Sequence, residues 1–183
     1  GQMIVEDNAS FVQVKEQDQN TISSTALFQV NRRSESMYRY DFTYWSSPVE
    51  GFILKDVSPT TFFDKFYSWN STTQAWTTLP QLGNTTTVMG TGVGYIVRAP
   101  QTYSTNANVR QVFPAEFKGK PNNGTKQVTV SNGAANRWNL IGNPYASAID
   151  VNTFMTANAN VIEGAIYLWT HNTAVNPVGN YDY

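Results

Sequence analysis

His171, five acidic residues beside expected strands (Asp41, Glu50, Asp64, Glu116 and Asp150) and the turn Gly90-Thr91-Gly92-Val93-Gly94 are the residues whose types could support catalysis. A Ser-His-Asp triad needs its histidine beside a nucleophile. His171 instead lies in Trp169-Thr170-His171-Asn172-Thr173, a polar turn after a strand, and no Gly-x-Ser-x-Gly elbow accompanies it. One histidine and no cysteine leave zinc without a ligand set. Paired carboxylates could hydrolyse glycosides, yet any strand-rich chain offers such pairs by chance. Asp150 reads better as a helix cap, and Asp41, between Tyr40 and Phe42, as a solvent-facing strand residue. Asp150 with Asn152, and Asn180 with Asp182, supply hard oxygens that suit a structural calcium. No Asp-x-Asp-x-Asp-Gly loop is present, so the metal question stays open. The glycine turn lacks the Lys-Ser/Thr of a phosphate loop and reads as a tight turn entering a strand.

The aromatics are the stronger candidates. Sugar rings have apolar faces that stack on Trp and Tyr, while Asn, Asp and Arg read the hydroxyls. Trp45, Tyr67, Trp69, Trp76, Trp138 and Trp169 could provide this, and Trp76, Trp45 and Tyr67 are the glycan-contact candidates. The competing role is structural, because each such ring buries roughly 150–250 Å² in a core. Tyr67-Ser68-Trp69 and Tyr167-Leu168-Trp169 put both rings of each phrase on one strand face. That placement favours core positions for Trp69, Trp138 and Trp169. Trp76, in the polar Thr73-Gln74-Ala75-Trp76-Thr77-Thr78, is expected to be the more exposed ring.

The elements that must position these residues are strands. Alternation marks Phe11–Val14, Ala26–Val30, Tyr38–Trp45, Phe63–Trp69, Gln74–Thr77, Gly94–Val97, Val109–Phe113, Lys126–Val130, Trp138–Ile141 and Ala165–Trp169. Lys120-Pro121-Asn122-Asn123-Gly124 is expected to close a hairpin, and Asp150 to cap a short helix reaching Ala157. A phrase occurs twice. Phe42-Thr43-Tyr44-Trp45-Ser46-Ser47-Pro48 is matched by Arg137-Trp138-Asn139-Leu140-Ile141-Gly142-Asn143-Pro144, each followed by a second aromatic strand. The intervals Pro48 to Tyr67 and Pro144 to Tyr167 are 19 and 23 positions. The expectation is an all-β, sandwich-like fold with two related halves, residues 38–100 and 101–183. Residues 1–37 supply either edge strands of that sandwich or the last rung of a stacked β repeat.

Bulk properties narrow the partners. The 183 residues carry 14% charged side chains and a formal net charge of −1, which gives no electrostatic reason to expect nucleic acid or anionic membranes. Arg32-Arg33, the only adjacent basic pair, reads as a solvated strand end. No run approaches the roughly 18 apolar residues of a membrane span. Gly1–Asp7 lacks a signal peptide's basic start and apolar stretch, and the end falls inside an expected strand, so the chain reads as a fragment of a longer one. The absence of cysteine leans toward an exported protein.

Four phrases in order carry a resemblance: Tyr44-Trp45-Ser46-Ser47-Pro48-Val49, Gly94-Tyr95-Ile96-Val97-Arg98-Ala99-Pro100, Phe117-Lys118-Gly119-Lys120-Pro121-Asn122-Asn123-Gly124 and Trp138-Asn139-Leu140-Ile141-Gly142-Asn143-Pro144-Tyr145. From about Asn8 to Tyr183 the chain resembles a β-rich region of large secreted and cell-surface proteins of Bacteroidota. Those proteins are often adhesin-like, and many use the type IX secretion route. The chain departs from the pattern at Ala146, where such regions commonly have proline; no C-terminal sorting domain is read within these 183 residues, so the secretion route is only what the resemblance implies. The resemblance implies an extracellular location, no catalytic motif and no cofactor. It also implies a structural or adhesive module that presents or spaces other domains and contacts neighbouring domains, further copies or glycans. The alternative expectation is a carbohydrate-binding module of a secreted hydrolase. The two differ in one observable: whether aromatics form an exposed row on one sheet face or lie between the sheets.

Overall fold

The computed structural model describes residues 1–16, 27–78, 86–132, 138–163 and 165–168. Seven strands form two sheets among them. β1 (Gln2–Val5), β2 (Leu27–Met37) and β7 (Gln111–Lys118) make the first, in the order β1-β2-β7. β3 (Phe42–Trp45), β4 (Phe66–Asn70), β5 (Ala75–Thr78) and β6 (Tyr95–Arg98) make the second, in the order β3-β6-β4-β5. A single helical turn, α1 (Leu54–Val57), and a terminal helix, α2 (Val151–Ala157), complete the regular elements besides a 3-10 turn at Phe63–Lys65. The all-β, sandwich-like expectation holds.

Alternation decides which side chains meet between the sheets. Phe28 and Val30 of β2 point inward with Ala115 and Phe117 of β7, all buried, while the second sheet contributes Trp45, Phe66, Tyr95 and Val97. The layers lock through rings: Trp45 lies 6.0 Å from both Phe113 and Phe117, and Phe52 lies 4.9 Å from Phe117, all tilted or edge-on. Such offset pairs add about 0.5–1.5 kcal/mol each beyond their area burial. β2 pairs with β7 antiparallel and with β1 in parallel, Gln2 facing Leu27 and Val5 facing Val30.

Several expected strands lack a ladder. Lys126–Val130 and Trp138–Leu140 take no strand pairing, nor does the described part of the last phrase, Ala165–Leu168. The phrase at Trp138 contributes one isolated bridge, between Val93 and Ile141. Alternation prepares a segment for a sheet, but a strand exists only beside a neighbour that offers matching N–H and C=O groups. Phe11–Val14 is likewise unladdered; it is tied down by Phe11 N–H to the Ala146 carbonyl (2.8 Å) and the Gln13 amide to the Asn122 carbonyl (2.8 Å).

Lys120–Gly124 does not close a hairpin. Asn122 and Asn123 are buried, and Asn122 works as a cross-link. Its backbone N–H donates to the Pro48 carbonyl (3.0 Å), and its Nδ2 donates to the carbonyls of Ser47 (3.2 Å) and Pro144 (2.9 Å). The prolines of both copies of the repeated phrase are therefore held by one asparagine. Asn123 Nδ2 binds the Lys15 carbonyl at 3.0 Å. A turn-forming residue type has been used inside, where its amide satisfies carbonyls that no strand reaches.

Arg32 and Arg33 lie within β2 rather than at its end. The Arg32 guanidinium donates to the carbonyls of Glu6 (3.3 Å) and Ala146 (3.3 Å). Asp41 also departs from expectation. Tyr38–Asp41 forms a turn, so β3 begins only at Phe42, and the Asp41 carboxylate folds inward. It accepts from Tyr38 N–H (3.1 Å) and from Arg110 (2.7 Å), and Asp41 is 3% exposed.

Candidate functional site

The outward faces of the two sheets differ in chemistry. On the three-stranded sheet, the positions alternating with the core are mainly polar, Gln29, Asn31, Arg33, Glu116 and Lys118, with Ile4, Leu27 and Pro114 among them and no aromatic ring. On the four-stranded sheet the register puts Phe42 and Tyr44 of β3 outward, with Ile96 and Arg98 of β6, Tyr67 and Trp69 of β4, and Trp76 and Thr78 of β5. Five aromatic rings thus share one outer face.

Period-two geometry explains the assignment. Phe66 is fully buried, so its neighbour Tyr67, and then Trp69, must point the other way. The same-face placement of Tyr67 and Trp69 stands, but the face is the outer one, which corrects the expectation that Trp69 is a core residue. Trp138 is exposed as well, its ring 4.9 Å from that of Tyr167. The Trp169 expectation lies outside the described residues, as do those for His171, Asn180 and Asp182.

Rings on the outer face pack edge to face. Trp69 and Trp76 are opposite residues of β4 and β5, with centroids 5.1 Å apart and planes at 70°. Tyr44 lies 6.1 Å from Trp76 at 53°, and Phe42 lies 5.8 Å from Tyr67 at 64°. Trp76 is the most open, at 43% exposure, while Phe42, Tyr44, Tyr67 and Trp69 are half-buried. Trp45, by contrast, is 8% exposed and inside the core, so this third glycan-contact candidate is separated from Trp76 and Tyr67 by the sheet itself.

Hydrogen bonds to the Trp138 peptide position the rings. The Trp69 indole N–H donates to the Trp138 carbonyl (2.9 Å). Gln74, in the β4–β5 turn, grips the same peptide: its amide donates to the Trp138 carbonyl (2.9 Å) and its Oε1 accepts Trp138 N–H (2.9 Å). Gln74 has φ 52°, a left-handed conformation that a non-glycine residue adopts at a cost of roughly 1–2 kcal/mol. Asn70 supports the turn by accepting the N–H groups of Thr72 and Thr73, both at 3.0 Å. Sequence reasoning missed Gln74. The Asn70-Ser71-Thr72-Thr73 run signals a turn but says nothing of what the next residue grips.

The Gly90–Gly94 segment is a turn into β6, closed by Val93 N–H on the Gly90 carbonyl (3.1 Å). Gly92 has φ +72°, and Gly142 N–H donates to its carbonyl (2.9 Å). The acidic candidates are each engaged. Asp41 binds Arg110, Glu116 binds Lys118 (2.6 Å), Glu50 faces Lys120 (3.5 Å), and Asp64 binds Lys65 (2.6 Å), which holds its carboxyl below the usual range. Asp150 caps α2 through Thr153 N–H (2.6 Å). Among the described residues no group of three or more His, Cys, Asp or Glu could hold a metal ion. None of their helices is long and apolar enough to cross a membrane.

Comparison with known proteins places the whole chain, residues 1–183, in one family, a domain of unknown function (DUF8693), to which the chain belongs. No curated protein and no solved structure matches it.

Proposed function

We propose that this DUF8693 domain is a non-catalytic recognition module of a large secreted cell-surface protein, and that it contacts glycans through the outer face of its four-stranded sheet. One observation carries the reading: Phe42, Tyr44, Tyr67, Trp69 and Trp76 lie on a single outward face, with Trp76 at 43% exposure. A solvent-facing sheet side is ordinarily polar, and the outer face of the other sheet of this molecule, though it includes Ile4, Leu27 and Pro114, carries no aromatic ring. Exposed rings on a rigid sheet are suited to the apolar faces of sugars, and neighbouring Arg98 and Thr78 offer hydrogen-bonding groups for hydroxyls.

The tilt of the rings narrows the ligand. Neighbouring planes meet at 53–70° and do not form one flat platform. Such a faceted surface fits one sugar residue or a single flexible chain better than the plane of a crystalline polysaccharide. One open indole gives weak contact, so useful affinity comes from repetition in a larger or multimeric protein.

The test is binding of the purified chain to a broad glycan array and to insoluble polysaccharides, beside a Trp76→Ala variant. Retention on soluble or single-chain glycans, lost in Trp76→Ala at unchanged fold, is the expected result. Silence of the folded wild-type chain on every glycan would overturn glycan recognition and leave the spacer role.

A further inference from the structure

The two edges of the three-stranded sheet are treated differently. β7 carries Pro114 at mid-strand and the exposed Glu116–Lys118 ion pair, features that discourage strand addition. β1 carries none: Gln2-Met3-Ile4-Val5 has no charge, proline or glycine. Met3 and Ile4 point to opposite sides of the strand and are 50% and 42% exposed, while Val5, on the Met3 side, is buried in the core. No described strand pairs with the outer edge of β1.

The phase of the ladder shows what that edge offers. Leu27 N–H donates to the Gly1 carbonyl at 3.1 Å, and β1 runs parallel to β2 with Gln2 facing Leu27. In a parallel ladder alternate residues face the neighbour, here Gly1, Met3 and Val5. The N–H and C=O groups of Gln2 and Ile4 therefore point away from the sheet. A second β1 laid antiparallel about a two-fold axis at Met3 sets Gln2 against Ile4 of the other copy, and Ile4 against its Gln2. Both become hydrogen-bonded pairs, all four outward groups are satisfied, and Met3 meets Met3 in the close, non-hydrogen-bonded position. No charges of β1 are opposed across the axis, and the arrangement closes on itself.

From this self-complementary register we infer that β1 is a self-association edge: two copies pair through it, fusing their three-stranded sheets into one of six strands. A four-residue ladder buries far less than the roughly 800 Å² per partner of a standard stable interface. The dimer is therefore weak and concentration-dependent, which suits a protein that works by many low-affinity contacts.

The chain has no cysteine, so Met3→Cys introduces a single thiol. Across a non-hydrogen-bonded antiparallel pair the Cα atoms stand about 4.5 Å apart, inside the range a disulfide spans. Mild oxidation is expected to convert Met3→Cys into a covalent dimer, while Val112→Cys, exposed on β7, stays monomeric under the same conditions. Sedimentation of the wild-type chain is expected to show a monomer–dimer equilibrium, shifted roughly tenfold to higher concentration by Met3→Lys, which opposes like charges at the axis. Circular dichroism checks that each variant folds. A folded Met3→Cys that gives no more dimer than Val112→Cys would overturn the proposal. So would a wild-type chain that stays monomeric at all concentrations, or a dimer untouched by Met3→Lys.

Discussion

Trp69 and Trp76 face each other across the β4–β5 ladder at 5.1 Å, one ring edge-on to the other. Trp69 is anchored by its indole N–H, whereas Trp76 leans on Trp69 and Tyr44 and keeps a face open. Trp76→Ala is expected to lose about 1 kcal/mol of stability, the value of a ring pair. Trp45→Ala, which empties a core site between the sheets, is expected to lose about 3–5 kcal/mol. Urea unfolding of the two variants separates the exposed ring from the buried one; equal losses would contradict the assignment.

Gln74 holds the Trp138 peptide by two hydrogen bonds. Gln74→Ala keeps the left-handed backbone and loses the grip, at a cost of roughly 1–2 kcal/mol. Gln74→Gly relieves the backbone and should cost less, because glycine adopts positive φ freely. Hydrogen exchange of the Trp138 amide is the readout: it should quicken in both variants, and an unchanged rate would show that Gln74 does not hold it.

The Asp41–Arg110 pair makes a sharper prediction than an ordinary surface ion pair. The Asp41 side chain is 2% exposed and that of Arg110 is 29% exposed. Arg110→Ala removes the countercharge of a buried carboxylate and is expected to cost about 3 kcal/mol, the low end for a broken buried pair because Arg110 is partly solvated and Tyr38 N–H still donates to Asp41. Asp41→Asn keeps an acceptor for Tyr38 N–H and should cost less. Thermal unfolding that ranks the two in the opposite order would refute this account.

Asn122→Ala removes the donors that satisfy the carbonyls of Ser47 and Pro144. The expected loss is about 2–3 kcal/mol, from buried acceptors left unpaired. Asn122→Asp should fare no better at neutral pH, since it points a carboxylate at two carbonyl oxygens. Chemical denaturation of both variants tests this; wild-type stability in either would remove Asn122 from its linking role.

Asp150 gives α2 a pH dependence with a definite sign. The Thr153 backbone N–H, chiefly, holds the carboxyl below its ordinary value. A group with a depressed folded value stabilises above its unfolded pKa and loses that contribution as pH falls through the folded one. The start of α2 should therefore fray on acidification below the usual carboxylate range. Thr153 amide shifts followed by NMR should titrate in that window in the wild-type chain and stay flat in Asp150→Asn.

Legibility followed the range of the interaction. Strands such as Ala26–Val30, Gly94–Val97 and Phe63–Trp69 were readable within one to three residues of their observed starts, because alternation is local. So was the Asp150 cap, whose acceptor and donor lie three residues apart. Period two puts Trp69 on the same face as Tyr67, yet alternation cannot say which of two faces is buried. Only Phe66, packed under the other sheet, decides that. Lys120–Gly124 shows the same limit: Pro and Asn-Gly announce a turn, but carbonyls 75 and 22 positions away make Asn122 a link.

By itself, then, the sequence determined the all-β class, most strands of both sheets and the pairing of aromatics on common faces, since these follow from backbone period and local turn chemistry. Tertiary structure alone decided that the aromatic face of β3-β6-β4-β5 turns outward, that Trp45 is inside while Trp76 is not, and that Asp41 and Asn122 are buried. Those outcomes depend on which sheet lies against which, and a side chain learns that only from residues distant in the chain.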